Sequence, residues 1–389
     1  MHSLKLNDAT LSAMKYMGSK RAMLKNGLGI LLTQEVKDAQ RFVDLFCGSG
    51  AVASFVAQQF EVPVWAYDLQ KYGAVLASAI VERTTPLDWV EVWDNWHQEA
   101  SELFTRIAVL ELKSVTKRAV INAREWCKLQ SDFPICKAYG GHYFSPEQAL
   151  WFDCLRSQLP KKSPARSVAL AALIQAASQC VAAPGHTAQP FQPTATGKAF
   201  VAEAWGRDVV SRTRNCLEKL ALQHARIAGG AKVADANVAA SSLKEGDVVF
   251  IDPPYSGVHY SRFYHVLETI SSGECGEVTG VGRYPDRTQR PISRYSMRGQ
   301  STAALEELFS RLAKSGAKGI LTFPAHECSN GLTGASVKKL AKDSFSVTEK
   351  IVTSRFSTLG GNTSALRQNG HRPARQQASE LILILNCKS

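Results

Sequence analysis

Apolar residues gather in short continuous runs near both ends of the chain and fall into helical spacing between them. Phe42-Val43-Asp44-Leu45-Phe46 has strand length, and the turn Cys47-Gly48-Ser49-Gly50 ends it. Ala51 to Phe60 then predicts a helix, and Val62 to Tyr67 a second strand ending at Asp68. Strand, glycine turn, helix and strand make a βαβ opening.

From about Pro86 to Cys216 helix formers dominate and β-branched runs are scarce. Ser145-Pro146-Glu147 is a helix start, with serine as cap and proline in the first turn. Ala149, Leu150, Phe152, Asp153 and Arg156 continue it. Ser167 to Val181 and Val201 to Gln223 predict two more helices, separated by a loop containing Pro184, Gly185, Pro190 and Pro193. The α/β pattern then returns. Ala231 to Asp235 is a short strand, and Val248-Val249-Phe250-Ile251 reads as a buried parallel one. Tyr264 to Ile270 and Ala303 to Ser315 are helical, and Gly319 to Phe323 is a strand. Phe345 to Phe356 and Glu380 to Asn386 predict a closing antiparallel hairpin.

The expected fold is therefore α/β: a doubly wound, mostly parallel sheet carrying a helical insert. Residues 1–85 and 217–389 would form the sheet domain, and 86–216 the insert.

Four strand ends carry candidate chemistry. Gly48-x-Gly50-x-x-Ala53 between strand and helix aims backbone N–H groups and a helix N-terminus at a ligand. Asp68, about 20 residues on, stands where an acid binds ribose hydroxyls. This pattern predicts an adenosine-containing cofactor without choosing between a dinucleotide and S-adenosylmethionine. Asp235, a third strand-end acid, fits either the ligand edge or a solvated turn.

Asp252-Pro253-Pro254-Tyr255 follows the buried strand. As a bland reading, Pro-Pro merely breaks the strand. As chemistry, the tetrapeptide suits a flat nitrogen-bearing ring with an exocyclic amine. Such an amine is a poor nucleophile because its lone pair is delocalised into the ring. The Asp252 carboxylate and the Pro253 carbonyl can accept its two N–H bonds and localise that pair. Tyr255 offers a stacking face, the prolines stiffen the loop, and no metal is needed.

Charge adds a partner. The 389 residues carry a net +12 with a pI near 9.3, which suggests a polyanion such as nucleic acid. Arg283, Arg287, Arg290, Arg294 and Arg298 cluster with Tyr284 and Tyr295, and only Asp286 opposes them within the segment. Arginine with tyrosine suits phosphate contact, base edges and stacking. A second basic stretch contains Arg367, His371, Arg372 and Arg375. Nine scattered cysteines lack C-x-x-C spacing, and His326-Glu327-Cys328 lacks the second histidine of a zinc motif, so no metal site is expected. Reduced cysteines, no signal-peptide pattern and no long apolar run point to a cytoplasmic protein without a membrane span.

Three segments, in order, carry a resemblance: Lys15-Tyr16-Met17-Gly18-Ser19-Lys20, then Asp44-Leu45-Phe46-Cys47-Gly48-Ser49-Gly50, then Asp252-Pro253-Pro254-Tyr255. Together they resemble the Dam-like (class alpha) adenine-specific DNA methyltransferases. The resemblance covers roughly residues 14–70 and 230–386. It implies the fold of S-adenosylmethionine-dependent methyltransferases and transfer to N6 of a flipped-out adenine in double-stranded DNA. By position, Tyr16, Gly18, Ser19 and Lys20 would line the methionine end of the cofactor. Asp44, Phe46, Gly48 and Gly50 would form the cofactor loop, Asp68 would hold the ribose, and Asp235 would sit near the cofactor adenine. Asp252 to Tyr255 would be catalytic, the arginine segment would contact DNA, and the insert would recognise the target.

The resemblance also admits a cognate restriction endonuclease as partner. An aspartate heading the tetrapeptide favours adenine, since serine is commoner in the cytosine-N4 enzymes. A cytosine-N4 or RNA target stays open. A dinucleotide oxidoreductase leaves the tetrapeptide and the basic segment without a task. An inactive binding module leaves Asp252 without one. The segments 256–264 and 357–362 look functional but carry no assignable role.

Overall fold

The computed structural model describes residues 20–357 and 375–388, with side chains omitted for 352–357 and 375–379. Tyr16, Gly18 and Ser19, and most of the 357–362 segment and second basic stretch, lie outside the described residues. In chain order the elements are α1 (Arg21–Met23), α2 (Gly29–Glu35), β1 (Arg41–Asp44), α3 (Ala51–Gln59), β2 (Val64–Asp68) and α4 (Lys71–Val81). The helical block follows: α5 (Trp89–Phe104), α6 (Lys117–Lys128), α7 (Pro134–Tyr139), α8 (Pro146–Ser157), α9 (Ala165–Cys180), α10 (Lys198–Trp205) and α11 (Val209–Ala221). Then come β3 (Gly230–Val233), α12 (Ala236–Ala239), β4 (Asp247–Ile251), α13 (His265–Ser272), β5 (Val278–Thr279) and β6 (Tyr284–Pro285). The chain closes with α14 (Ser301–Ser315), β7 (Lys318–Pro324), α15 (Gly334–Ser344), β8 (Phe345–Ser357) and β9 (Arg375–Cys387).

A seven-stranded sheet has the order β3-β2-β1-β4-β7-β9-β8. The five strands from β3 to β7 run parallel, and β9 is antiparallel to both β7 and β8. Side chains alternate between the two faces. Phe42, Val64, Val248 and Phe250 pack with α3, while Val43, Leu45, Val249 and Ile251 pack with α14. Both faces are thus buried, which is why these strands read as continuous apolar runs. Chain direction reverses its march across the sheet between β1 and β4. A doubly wound sheet opens a crevice at such a switch point, beyond the carboxyl ends of its strands. Asp44, Asp68 and Asp252 all stand at those ends.

The block 86–216 is helical as expected, and its core continues into α4 through Tyr72, Leu76 and Ile80. Ser145 caps α8 in a reciprocal capping box with Gln148. The helix expected over Val201–Gln223 is instead two, α10 and α11. Gly206 ends the first, and the Asp208 side chain caps the second by accepting from the Ser211 N–H. Hydrophobic spacing continues through this corner, so the pattern concealed the break. Among the described residues no helix is long and apolar enough to cross a membrane, and no cluster of ligating side chains suits a metal ion.

Candidate active site

The glycine turn after β1 depends on backbone that other residues adopt poorly. Gly48 and Gly50 have φ of 50° and 73°. The Gly48 N–H donates to Asp68 Oδ2 at 2.8 Å, and the Gln70 N–H donates to Oδ1 at 2.8 Å. The acid at the end of β2 therefore ties the turn to the start of α4. Gly73 lets them approach, since a Cβ there would lie 2.9 Å from both the Asp68 carboxyl carbon and the Gly48 carbonyl oxygen. Glu268 on α13 accepts the N–H groups of Lys71 and Tyr72 at the same helix end.

Asp44 is buried and accepts from the Phe46 N–H at 3.2 Å. Burial, reinforced by Asp252 and Asp68 and opposed by the Phe46 N–H, pushes its carboxyl up to about 8. Burial likewise raises Asp68 to about 6, against the pull of its two backbone donors. Asp252, at the end of β4, is pushed up by burial and by Glu380 and drawn back by Lys20 and Thr322. Lys20 Nζ lies 2.9 Å from Asp252 Oδ1 and 3.3 Å from Glu380 Oε2. The Thr322 hydroxyl donates to the same Asp252 Oδ1 at 2.9 Å. Burial disfavours the Lys20 ammonium, yet its two carboxylate neighbours outweigh that cost and raise its pKa. Both donors engage Oδ1, which among the described residues leaves Oδ2 for an incoming amine.

These groups border one open cleft of about 960 Å³. Lys20, Asp44, Phe46, Gly48, Asp68, Asp235 and Asp252 to Tyr255 all line it. Gly50 lies behind the turn, against the backbone of Ala77 on α4. Asp235 also caps α12, accepting from the N–H groups of Asn237 and Val238. Tyr295 meets Phe46 edge to face at 5.1 Å and donates its hydroxyl proton to Asn237. A cleft with several carboxylates and two aromatic rings fits a ligand that is cationic at one end and flat at the other. S-adenosylmethionine has that form. Asp44 would face its cationic part, Asp68 its ribose, and Phe46 with Asp235 its adenine.

Sequence reasoning missed Thr322, Glu380 and Asn330, whereas His259, Tyr260 and Ser261 of the segment 256–264, expected to be functional without an assigned role, line the cleft. Asn330 is fully buried and clamps the catalytic loop. Its Nδ2 donates to the carbonyls of Pro254 at 3.1 Å and Tyr295 at 3.0 Å, and its Oδ1 accepts from the Leu332 N–H. Asn330→Ala removes both donors and leaves two carbonyls unpaired. It is expected to cost about 1–3 kcal/mol of stability and to lower kcat more than it raises the cofactor Kd. Denaturant unfolding and single-turnover assays check this, and unchanged values in both would remove the clamp.

The arginine segment divides. Arg283 donates from Nε to the Ala138 carbonyl at 2.9 Å, so it ties the β5–β6 ribbon to α7. Arg294 pairs with Glu307 at 2.7 Å, an acid from beyond the segment in which only Asp286 opposes the arginines. The opposing acid comes from α14, outside the segment. Arg298 is exposed beside Gly331. Arg287 and Arg290 remain together near the cleft mouth, joined by Arg262.

Comparison with known proteins fits this geometry. The sequence model of the D12 class N6 adenine-specific DNA methyltransferases matches residues 16–144 and 152–318. The chain belongs to this family. It is 23% identical over 304 residues to modification methylase StsI of Streptococcus sanguinis, which is 77% of this chain and 42% of that protein. It is 26% identical over 275 residues to the type II methyltransferase M.FokI of Planomicrobium okeanokoites, covering 69% and 38%. A 68-residue stretch is 40% identical to modification methylase LlaI of Lactococcus lactis subsp. lactis, covering 17% and 10%. The chain thus spans less than half the length of each of these relatives. D12-class membership implies S-adenosylmethionine as methyl donor.

Proposed function

We propose that this chain transfers a methyl group from S-adenosylmethionine to N6 of an adenine in double-stranded DNA. The observation that carries the reading is the Asp252 carboxylate at the end of β4, with Oδ1 held by Lys20 and Thr322. The cofactor supplies a methyl carbon already activated by its sulfonium. Asp252 Oδ2 accepts one N–H of the adenine amine and the Pro253 carbonyl the other. The nitrogen lone pair then localises and faces the methyl carbon. The N–C bond forms as the C–S bond breaks, and the extra proton leaves the nitrogen toward Asp252 or water. Positioning supplies most of the acceleration. Such an amine is inaccessible in a stacked duplex, so the adenine must leave the helix. Tyr255 would stack on it there. Tyr255→Ala is expected to weaken capture of that base more than cofactor binding, and an unchanged transfer rate would remove the stacking role.

The insert 86–216 would carry target recognition. Support comes from its ties to the segment beside the cleft. The Tyr143 hydroxyl donates to the Gly282 carbonyl, Tyr284 donates back to Ala188, and the Thr187 N–H donates to Phe263. The modification methylases among the relatives support a cognate restriction endonuclease as partner.

Cofactor binding should depend on pH. Asp44 near 8 and Asp68 near 6 are partly protonated around neutrality. A cationic ligand favours their ionised forms, so binding releases protons and tightens as pH rises from about 6 to 8. Calorimetry in buffers of different ionisation enthalpy reads the release directly, and heats independent of buffer would contradict it. Stability of the unliganded protein runs the other way. Asp44 is raised from an ordinary 3.8 to about 8. The folded chain therefore holds more protons in that window and loses stability as pH climbs through it.

The function is tested with labelled S-adenosylmethionine and unmethylated genomic DNA, with RNA in parallel, followed by mapping of modified bases. Methyladenine at one recurring short sequence supports the reading. Label on RNA or cytosine overturns the substrate.

A further inference from the structure

Next to the catalytic cleft, a second hollow of about 550 Å³ lies between the turns Tyr260–Arg262 and Arg287–Gln289. His259, Ser261, Arg262, Arg287, Arg290 and Ile292 line it, and His259 and Ser261 also line the cleft. The hollow is strongly basic, and Asp286 acts on Arg290 without closing to an ion pair. Among the described residues, none of its three arginines forms an ion pair. Asp286 commits a carboxylate oxygen to the Thr288 N–H and hydroxyl. Arg262 and Arg290 share one aromatic ring, lying 4.7 Å and 5.6 Å from the centre of Tyr284. Buried Arg290 Nε and His259 Nδ1 have no hydrogen-bond partner. Burial and the three arginines together hold the His259 imidazole below its ordinary value.

Gathering three like charges around one small space is unfavourable unless an anion enters it. The scaffold nevertheless holds them there. Tyr284 is fixed by its hydroxyl bond to Ala188, and the Arg262 carbonyl lies 3.2 Å from His265 Nδ1. The Thr187 N–H and hydroxyl both donate to the neighbouring Phe263 carbonyl. Arg262 also sits on the continuous segment that leaves Tyr255.

We propose that this hollow seats one phosphodiester of the DNA strand whose adenine enters the cleft, with Arg262, Arg287 and Arg290 as its ligands. The proposal rests on the N6-adenine reading above and adds to it a defined phosphate. Guanidinium groups suit phosphate because their planar N–H forks match its oxygens. A phosphate held beside the cleft fixes the backbone of the target nucleotide while its base is out of the stack. Arg283 and Arg294, tied to Ala138 and Glu307, take no part.

The test is a cycle between protein and DNA. Duplexes carrying the mapped site receive one neutral methylphosphonate at each phosphate near the target adenine in turn. Single-turnover rate and duplex Kd are measured for the unsubstituted protein, Arg262→Ala, Arg290→Ala and the control Arg298→Ala. At one position the neutral link is expected to reduce performance of the unsubstituted protein roughly tenfold, the size typical of a lost charge-assisted bond. Arg262→Ala and Arg290→Ala should lose about as much on natural DNA and lose nothing further at that position. Arg298→Ala should remain sensitive to the neutral link.

Losses that multiply independently at every position would overturn the seat. So would variants that lose cofactor affinity or thermal stability, because the arginines would then be structural. Inhibition by a free nucleoside monophosphate without any methylphosphonate effect would assign the hollow to a small nucleotide instead. Methylation of the natural duplex reports the underlying function separately. The Kd cycle decides the phosphate seat even where an arginine variant no longer transfers the methyl group.

Discussion

Asp252→Ala is expected to lower kcat at least 10²–10³-fold, the scale set by loss of a preorganised polar group at a reacting centre. Cofactor Kd should change far less. In the proposed chemistry Asp252 accepts from the adenine amine, whereas Asp44, Asp68 and Gly48 line the cleft beside the glycine turn. The fold should survive, because Lys20 keeps Glu380 as a partner at 3.3 Å. Single-turnover methylation and calorimetric cofactor titration on the same preparation separate the two effects. A variant that still methylates would sink the proposed chemistry. One that no longer binds cofactor would place Asp252 in the cofactor site instead.

Lys20→Met is expected to damage stability and catalysis together. Lys20 is 4% exposed and stands between Asp252 and Glu380. Removing its charge takes away the ammonium that stands between the Asp252 and Glu380 carboxylates. Breaking a buried ion pair from one side costs about 3–5 kcal/mol. The sign for catalysis follows from the same contacts. Lys20 holds the Asp252 carboxyl down. Without it Asp252 stays protonated to higher pH, so the acidic limb of the pH–rate profile should move upward. Urea unfolding and the pH profile read the two effects. Adding Glu380→Gln to Lys20→Met should recover part of the lost stability by removing the second charge. Unaltered unfolding and an unmoved acidic limb would show that the pair contributes nothing.

The parts of the site that were legible in the sequence are those built by short stretches of chain. The strand before Gly48 and Gly50, the acid at Asp68 and the tetrapeptide at Asp252 each carry their chemistry locally. Turn glycines, strand-end acids and prolines are constrained by neighbours in sequence. Asp235 was read as a strand-end acid and also caps α12. The helix break at Gly206 was hidden because apolar spacing runs through it.

The arginine segment marks the boundary. Composition showed a basic, tyrosine-bearing loop but could not show which charges were already used. Glu307 reaches Arg294 from α14, and Ala138 takes Arg283 from the insert. Arg262 joins Arg287 and Arg290 only because the chain folds the segment after Tyr255 against the later turn. Asn330 gave no signal at all, since a lone asparagine in a loop has no pattern until its two carbonyl partners are placed beside it.

The sequence by itself determined the alternation of strands and helices, the glycine turn and the acid at the end of the strand before Pro253. Those features depend on the spacing of apolar residues and on side-chain chemistry within a few positions. Only the tertiary structure decided the charge state around that acid, through Lys20, Glu380 and Thr322. It also decided which arginines are free of ion pairs among the described residues, because electrostatic partners are chosen by distance in space rather than along the chain.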